Sequence, residues 1–422
     1  MSTHTTSWSD TEVRAAFPAL SLRDHDQARV YADAPGGTQV AARALTRMHA
    51  SMVNHCANDG GAFRTSQLTD AALQEAHRIA AVFLGAEPDE VVFGLNTTTQ
   101  LFHFSRMIAR DWKAGDEIVL SRMDHDANIA PWLIAAQERG IQVRWLEFDV
   151  NTFQYRYDTL SSLINANTRF VACNHASNFL GTINDVKRII DAAKAVGALS
   201  MVDAVQSVAH IAIDVKALGC DLLSTSPYKY FGPHAGLLYV KRELADRLVP
   251  LKVRPAADMM PYKHSPGTPS FEAQCATQGA IEHMAWLGER FGGCPVGSLR
   301  SQILAGYAAA SAHELTLTQR FLSGVANLNN ITLYGISDLD DASRRVPTFS
   351  LRLRGLDSRV IAKEFAEHNI FVWDGSFYAY EIAGVLGVRD SGGVVRIGFA
   401  HYNTLAEVDQ IVALLADMST RA

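Results

Sequence analysis

The chain has 422 residues, a formal net charge of −6, 48% hydrophobic residues and 19% charged residues. This is an ordinary globular balance with enough length for more than one domain. It excludes a disordered chain and the basic footprint expected of a nucleic-acid or anionic-membrane partner. The five cysteines (Cys56, Cys173, Cys220, Cys275 and Cys294) are scattered, with no CxxC pair. That pattern fits reduced thiols in a cytoplasmic protein and shows no metal site. The segment Met1–Trp8 lacks a basic-then-apolar signal, and no apolar run is long enough to span a bilayer.

Along the chain, Asp10 to Pro18 reads as a short helix, and Val30-Tyr31-Ala32-Asp33 as a strand that breaks into Ala34-Pro35-Gly36-Gly37. Helical periodicity follows from Val40 to about Met52. After the glycine loop Asn58–Phe63 it returns from about Asp70 to Phe83. The strand Val91-Val92-Phe93 leads through Gly94-Leu95-Asn96-Thr97-Thr98-Thr99 into a helix from about Gln100. Small polar residues between a strand and a helix N-terminus can cradle a phosphate with free backbone N–H groups, or simply cap the helix. Strands at Glu117–Leu120, Gln142–Leu146 and Arg169–Cys173 alternate with helices, including one from Asp185 to Val196. That alternation predicts a mostly parallel, doubly wound α/β sheet. No repeat or low-complexity segment interrupts it.

Two stretches carry chemistry. Ala198-Leu199-Ser200-Met201-Val202-Asp203 reads as a buried strand ending in an acid, where open α/β sheets bind ligands. One strand later, Ser224-Thr225-Ser226-Pro227-Tyr228-Lys229 places a lysine in a loop of hydroxyls, Pro and Gly. A lysine there either snorkels to solvent or serves as a Schiff-base amine for a carbonyl cofactor. The Asp203 carboxylate would then keep the pyridine nitrogen of pyridoxal phosphate protonated. From about Tyr31 to its end the chain resembles the class V aminotransferase, cysteine-desulfurase-like family of pyridoxal phosphate enzymes. The resemblance implies the fold type I architecture, with a large cofactor-binding domain over residues 20–291 and a smaller α+β domain from residues 1–19 and 292–422.

Carried over residue by residue, the resemblance makes Lys229 the cofactor lysine and proton carrier, and Asp203 the partner of the ring nitrogen. It makes His125, in Asp124-His125-Asp126-Ala127-Asn128, the ring-stacking histidine. Thr97, Thr98, Gln206, Ser226 and Tyr228 would complete the cofactor site. Asn178, in His175-Ala176-Ser177-Asn178, would bond the ring oxygen and border the substrate. Thr268, in Gly267-Thr268-Pro269, would reach the phosphate of a second subunit, which implies a homodimer with a shared site. Arg396, in Val394-Val395-Arg396-Ile397-Gly398, would clamp the α-carboxylate of a small amino acid in bidentate fashion.

One element of the family is missing. Desulfurases carry a loop cysteine that takes the substrate sulfur, and the corresponding stretch here is Trp373-Asp374-Gly375-Ser376-Phe377-Tyr378-Ala379-Tyr380. By length, Tyr378 stands in the nucleophile's place and Trp373 in that of an arginine. A phenol cannot accept sulfane sulfur as a thiolate does. The expected activity is therefore C–S cleavage or β-elimination without a protein persulfide. Desulfuration, transamination, epimerisation or β-decarboxylation could run on the same site. A protein that keeps the fold without turnover, as a partner in sulfur trafficking, is the alternative of a different class.

Overall fold

The computed structural model describes residues 7–421; residues 1–6, part of the segment read for targeting signals and of the expected N-terminal unit, and residue 422 lie outside it. A seven-stranded sheet forms the centre. Its strands are β1 (Val91–Gly94), β2 (Glu117–Ser121), β3 (Gln142–Leu146), β4 (Thr168–Asn174), β5 (Leu199–Asp203), β6 (Leu222–Thr225) and β7 (Gly236–Val240). The spatial order is β1-β7-β6-β5-β4-β2-β3, and only β7 runs antiparallel to its neighbours. The central strands are apolar on both faces, as buried parallel strands must be. Met201, Val202, Leu222, Leu223, Leu237 and Leu238 are all fully buried.

Helices cover both faces. On one face lie α1 (Asp10–Ala15), α2 (Ala42–Asn54), α3 (Arg64–Leu84), α6 (Val186–Ala195), α7 (Phe271–Arg290) and the first half of α8 (Leu299–Val325). The other carries α4 (Thr97–Ile108) and α5 (Ala130–Arg139), with Trp132 packed on Phe170 at 4.0 Å. The fold is therefore the predicted α/β architecture. A second sheet, β8 (Ile331–Tyr334), β9 (Thr348–Leu353), β10 (Trp373–Gly375) and β11 (Val394–Gly398), is ordered β8-β9-β11-β10. It packs with α9 (Ser358–Glu367), α10 (Leu405–Arg421) and the second half of α8 around Phe321, Phe349 and Phe399. Helix α8 serves both cores, and we propose the domain division near residue 292, just before it.

Three boundaries differ from expectation for local physical reasons. Helix α3 starts at Arg64, six residues before the expected Asp70. The hydroxyls that read as loop residues anchor its first turns, with Ser66 Oγ donating to Asn58 O and Thr69 Oγ1 to His55 O. Helix α4 starts at Thr97 because Asn96 caps it, accepting the Thr99 N–H at 2.8 Å. The aromatic stretch from Trp373, read as loop, begins as strand β10 on the edge beside β11. Among the described residues no helix is long and apolar enough to cross a membrane, and no group of three His, Cys, Asp or Glu side chains is placed to hold a metal ion.

Candidate active site

The carboxyl ends of β4, β5 and β6 and the N-terminus of α4 surround one cavity of about 350 Å³. Nine of the expected residues line it: Thr97, Thr98, His125, Asn178, Asp203, Gln206, Ser226, Tyr228 and Lys229. It adjoins a wider cleft that shares Gly36, Thr98, His125, Asn178, Tyr228 and Lys229 and adds Trp373, Phe377, Tyr378 and Arg396. Thr268 stands apart, in an apolar groove with Gly94, Leu95 and His103. This is a position from which it does not serve the Lys229 cavity of its own chain.

The sheet register puts the acid and the lysine together. Asp203 ends β5 opposite Ser224 of β6, and Lys229 follows on the short turn Pro227–Lys229. The Asp203 Oδ1 accepts the Val205 N–H at 2.8 Å. Burial pushes its pKa up to about 6, against the pull of that N–H and of Lys229. Lys229 Nζ donates to the Pro35 carbonyl. Burial first, and the nearby Arg396 cation second, lower the amine to about 7, while Asp203 and Asp33 oppose the shift. A near-neutral amine is what a nucleophilic or proton-carrying lysine requires.

His125 Nδ1 accepts the Ala127 N–H at 3.0 Å, which places the ring proton on Nε2. Burial and the cations Lys229 and Arg396 hold its pKa down at about 3, so the ring is neutral. At the helix end, Thr97 Oγ1 donates to Thr225 O at 3.0 Å and lies 2.6 Å from Ser226 Oγ. Gln206 Nε2 donates to Thr348 Oγ1, joining the cavity to β9. Arg396 on β11 is buried, donates to Asn178 O at 3.0 Å and lies 4.0 Å over the Phe377 ring.

Unspent polar capacity marks the cavity. Asn178 Oδ1 and Gln206 Oε1 are buried without a partner, which native proteins rarely leave unexplained. The donor set fits pyridoxal phosphate: an amine, a carboxylate for the ring nitrogen, a neutral imidazole, and hydroxyls at a helix N-terminus for the phosphate. Sequence reasoning passed over Asp33, His234 and Asn174. His234 stacks on Tyr228 at 4.6 Å and Asn174 lines the cavity. Asp33 ends a short strand before a glycine turn, the same signal that identified Asp203.

The Aminotransferase class-V family profile matches residues 30–289 and 299–411. The chain belongs to this family. Class V members are pyridoxal-phosphate enzymes, and the cavity chemistry above agrees. This class V chain is 35% identical to an aminotransferase-like protein of Gibberella zeae, over 97% of this chain and 98% of that one. It is 31% identical to a cysteine desulfurase of Synechococcus elongatus, over 97% of this chain and 63% of that protein. Among solved structures, the apo cysteine desulfurase of Thermococcus onnurineus superimposes with a TM-score of 0.87 at 24% identity, covering 99% of this chain and 100% of that one. The desulfurase CsdA of Escherichia coli gives 0.82 at 24%, with 99% of each chain covered. These likenesses establish the fold type I architecture for this class V enzyme.

Proposed function

We propose that this class V enzyme is a lyase that removes a β-substituent, sulfide in the simplest case, from a small amino acid without passing sulfur to the protein. The observation that carries the reading is the loop. By length Tyr378 corresponds to the desulfurases' thiol position; its ring lies 5.4 Å from that of His125, and no cysteine lines either cavity. Cys173 is buried in the sheet and Cys56 is exposed elsewhere.

Pyridoxal phosphate, when bound, supplies the electron sink that makes a Cα proton removable. Asp203 would hold its ring nitrogen and His125 its face. Thr97, Thr98, Ser226 and Gln206 would hold its phosphate side, with Asn178 at the ring oxygen. Arg396 orients the substrate by its carboxylate. Lys229 Nζ, with its pKa lowered to about 7 by burial first, would take the Cα proton in its neutral form. The Cα–H electron pair becomes the Cα–Cβ double bond, and the sulfur leaves with the Cβ–S pair. The His125 Nε2–H is free to hydrogen-bond the departing sulfur. Hydrolysis of the unsaturated product yields pyruvate and ammonia. Alanine would instead require sulfur to leave as a sulfur(0) equivalent onto a thiolate, which the loop lacks.

The test is incubation with L-cysteine followed by product analysis and mass spectrometry of the protein. Pyruvate, free sulfide and an unmodified chain are expected. A one-sulfur adduct with alanine as product would return the protein to the desulfurases.

A further inference from the structure

The cleft beside the cofactor cavity is wider than a small side chain needs. It has a volume of about 910 Å³ and shares His125 and Lys229 with the smaller cavity, so a substrate held at Lys229 can extend its side chain into it. Aromatic rings line it from two parts of the chain, Phe102 from α4 and Phe377, Tyr378 and Tyr380 from the loop after β10. Phe377 and Tyr380 are already engaged, with the Arg396 guanidinium 4.0 Å from the one ring and that of Arg389 4.2 Å from the other. The Tyr378 ring flanks His125 and is 77% exposed.

Tyr378 is nevertheless held in place. Its carbonyl accepts the Asp126 N–H at 2.7 Å, and the preceding Phe377 carbonyl accepts Asn178 Nδ2 at 3.0 Å. Its φ is 55°, and a bulky residue keeps such an angle only where its surroundings impose it. Burial of the side chain is not the reason, since the ring is open to the cleft. The strained backbone presents an aromatic face there, where another ring can pack on it. A thiol at this position would take the substrate sulfur; a phenol ring leaves the sulfur alone and can bind what the sulfur carries. We propose that Tyr378 and Phe102 form a subsite for an aromatic β-substituent, which makes S-aryl cysteines the preferred substrate class. This deepens the reading above and rests on the amino-acid site assigned there. The leaving group becomes an arenethiolate, which departs with the Cβ–S electron pair as sulfide would.

The experiment titrates holoenzyme with L-homophenylalanine and L-norvaline and follows the visible spectrum of the bound cofactor. These carry the phenyl and methyl ends of S-phenyl- and S-methyl-cysteine on a methylene in place of sulfur. Neither has a leaving group, so binding is read apart from turnover. Wild type should bind L-homophenylalanine more tightly than L-norvaline by about tenfold or more, from the added apolar area and the ring contact. Tyr378→Ala should cut that ratio by about fivefold, Phe102→Leu should also lower it, and Tyr378→Phe should keep it. The exposed Tyr378 ring leaves no core cavity when removed, and an unaltered spectrum before titration certifies the fold. A wild-type ratio near one, a Tyr378→Ala ratio equal to wild type, or equal losses in Tyr378→Ala and Tyr378→Phe overturns the subsite. Product analysis with S-phenyl-L-cysteine tests the elimination separately, with benzenethiol and pyruvate expected in equal amounts. The binding ratio without those products removes the elimination and keeps the subsite; the products without the ratio remove the subsite alone.

Discussion

Burial sets the Lys229 amine low, and removal of its two opposed neighbours, Arg396 and Asp203, should move it in opposite directions. Burial and Arg396 lower Lys229 from 10.5 to about 7, while Asp203 pulls it back up. The neutral amine, which alone attacks the cofactor aldehyde, is the form above the pKa. At pH 7 about half of the Lys229 amines are therefore neutral, against roughly 3 in 10,000 for an ordinary lysine, a gain of about a thousandfold. Arg396→Gln should raise the midpoint and Asp203→Asn should lower it. Burial, the largest cause, persists in both variants, so each shift is smaller than the whole fall from 10.5 to about 7. The assay is stopped-flow capture of pyridoxal phosphate by apo-protein across pH 5 to 11, each profile scaled to its own plateau so that weakened cofactor affinity does not enter. A wild-type midpoint near that of a free lysine, or variants shifting in the same direction, would refute the reasoning.

Lys229→Ala should abolish both the visible band of the bound cofactor and all turnover, read by absorbance and product assay, since no other lysine lines the cavity. Sedimentation should show a homodimer, and Thr268→Ala should speed cofactor loss on dilution if the threonine serves the opposite subunit. Tyr378→Cys should gain a one-sulfur adduct with L-cysteine, seen by mass spectrometry, because the loop then presents a thiol beside His125. Gly306→Ala should lower stability by about 2 kcal/mol or more in thermal unfolding. Its Cβ would lie 2.0 Å from Met284 O where α7 crosses α8, and neither backbone can give way without separating the helices.

Much of the architecture was legible because its signals are local. The strands at Glu117–Ser121, Gln142–Leu146 and Thr168–Asn174 lie where their apolar runs were expected, and Asp185 caps the helix it was expected to open. Strand order was not legible, nor the single antiparallel strand β7, since pairing depends on which faces meet after the chain has wound. The start of α3 was hidden for a related reason. Ser66 and Thr69 have the composition of a loop, and only the carbonyls of residues 55–58 lying opposite them turn their hydroxyls into anchors.

The cavity shows the same division between what a residue type announces and what its neighbours decide. Lys229 and Asp203 could be picked out because each needs a specific chemical justification beside a strand end, whereas His125 was legible only through the family resemblance. Asp33 gave the same signal and was passed over because the glycines after it looked like the purpose of the turn. The loop from Trp373 could be read for what it lacks but not for what it does. In the structure Asn178 Nδ2 donates to Phe377 O at 3.0 Å, and the Asp126 N–H to Tyr378 O at 2.7 Å. Phe377 and Tyr378 both hold left-handed backbone angles, with φ of 58° and 55°. Two consecutive bulky residues in that region cost about 1 kcal/mol or more each, so the contacts to Asn178, Asp126 and Arg396 must outweigh the strain. Those contacts tie the loop to the same asparagine and arginine that the family pattern assigns to cofactor and substrate. A ligand that engages Asn178 or Arg396 therefore meets side chains that already hold the loop.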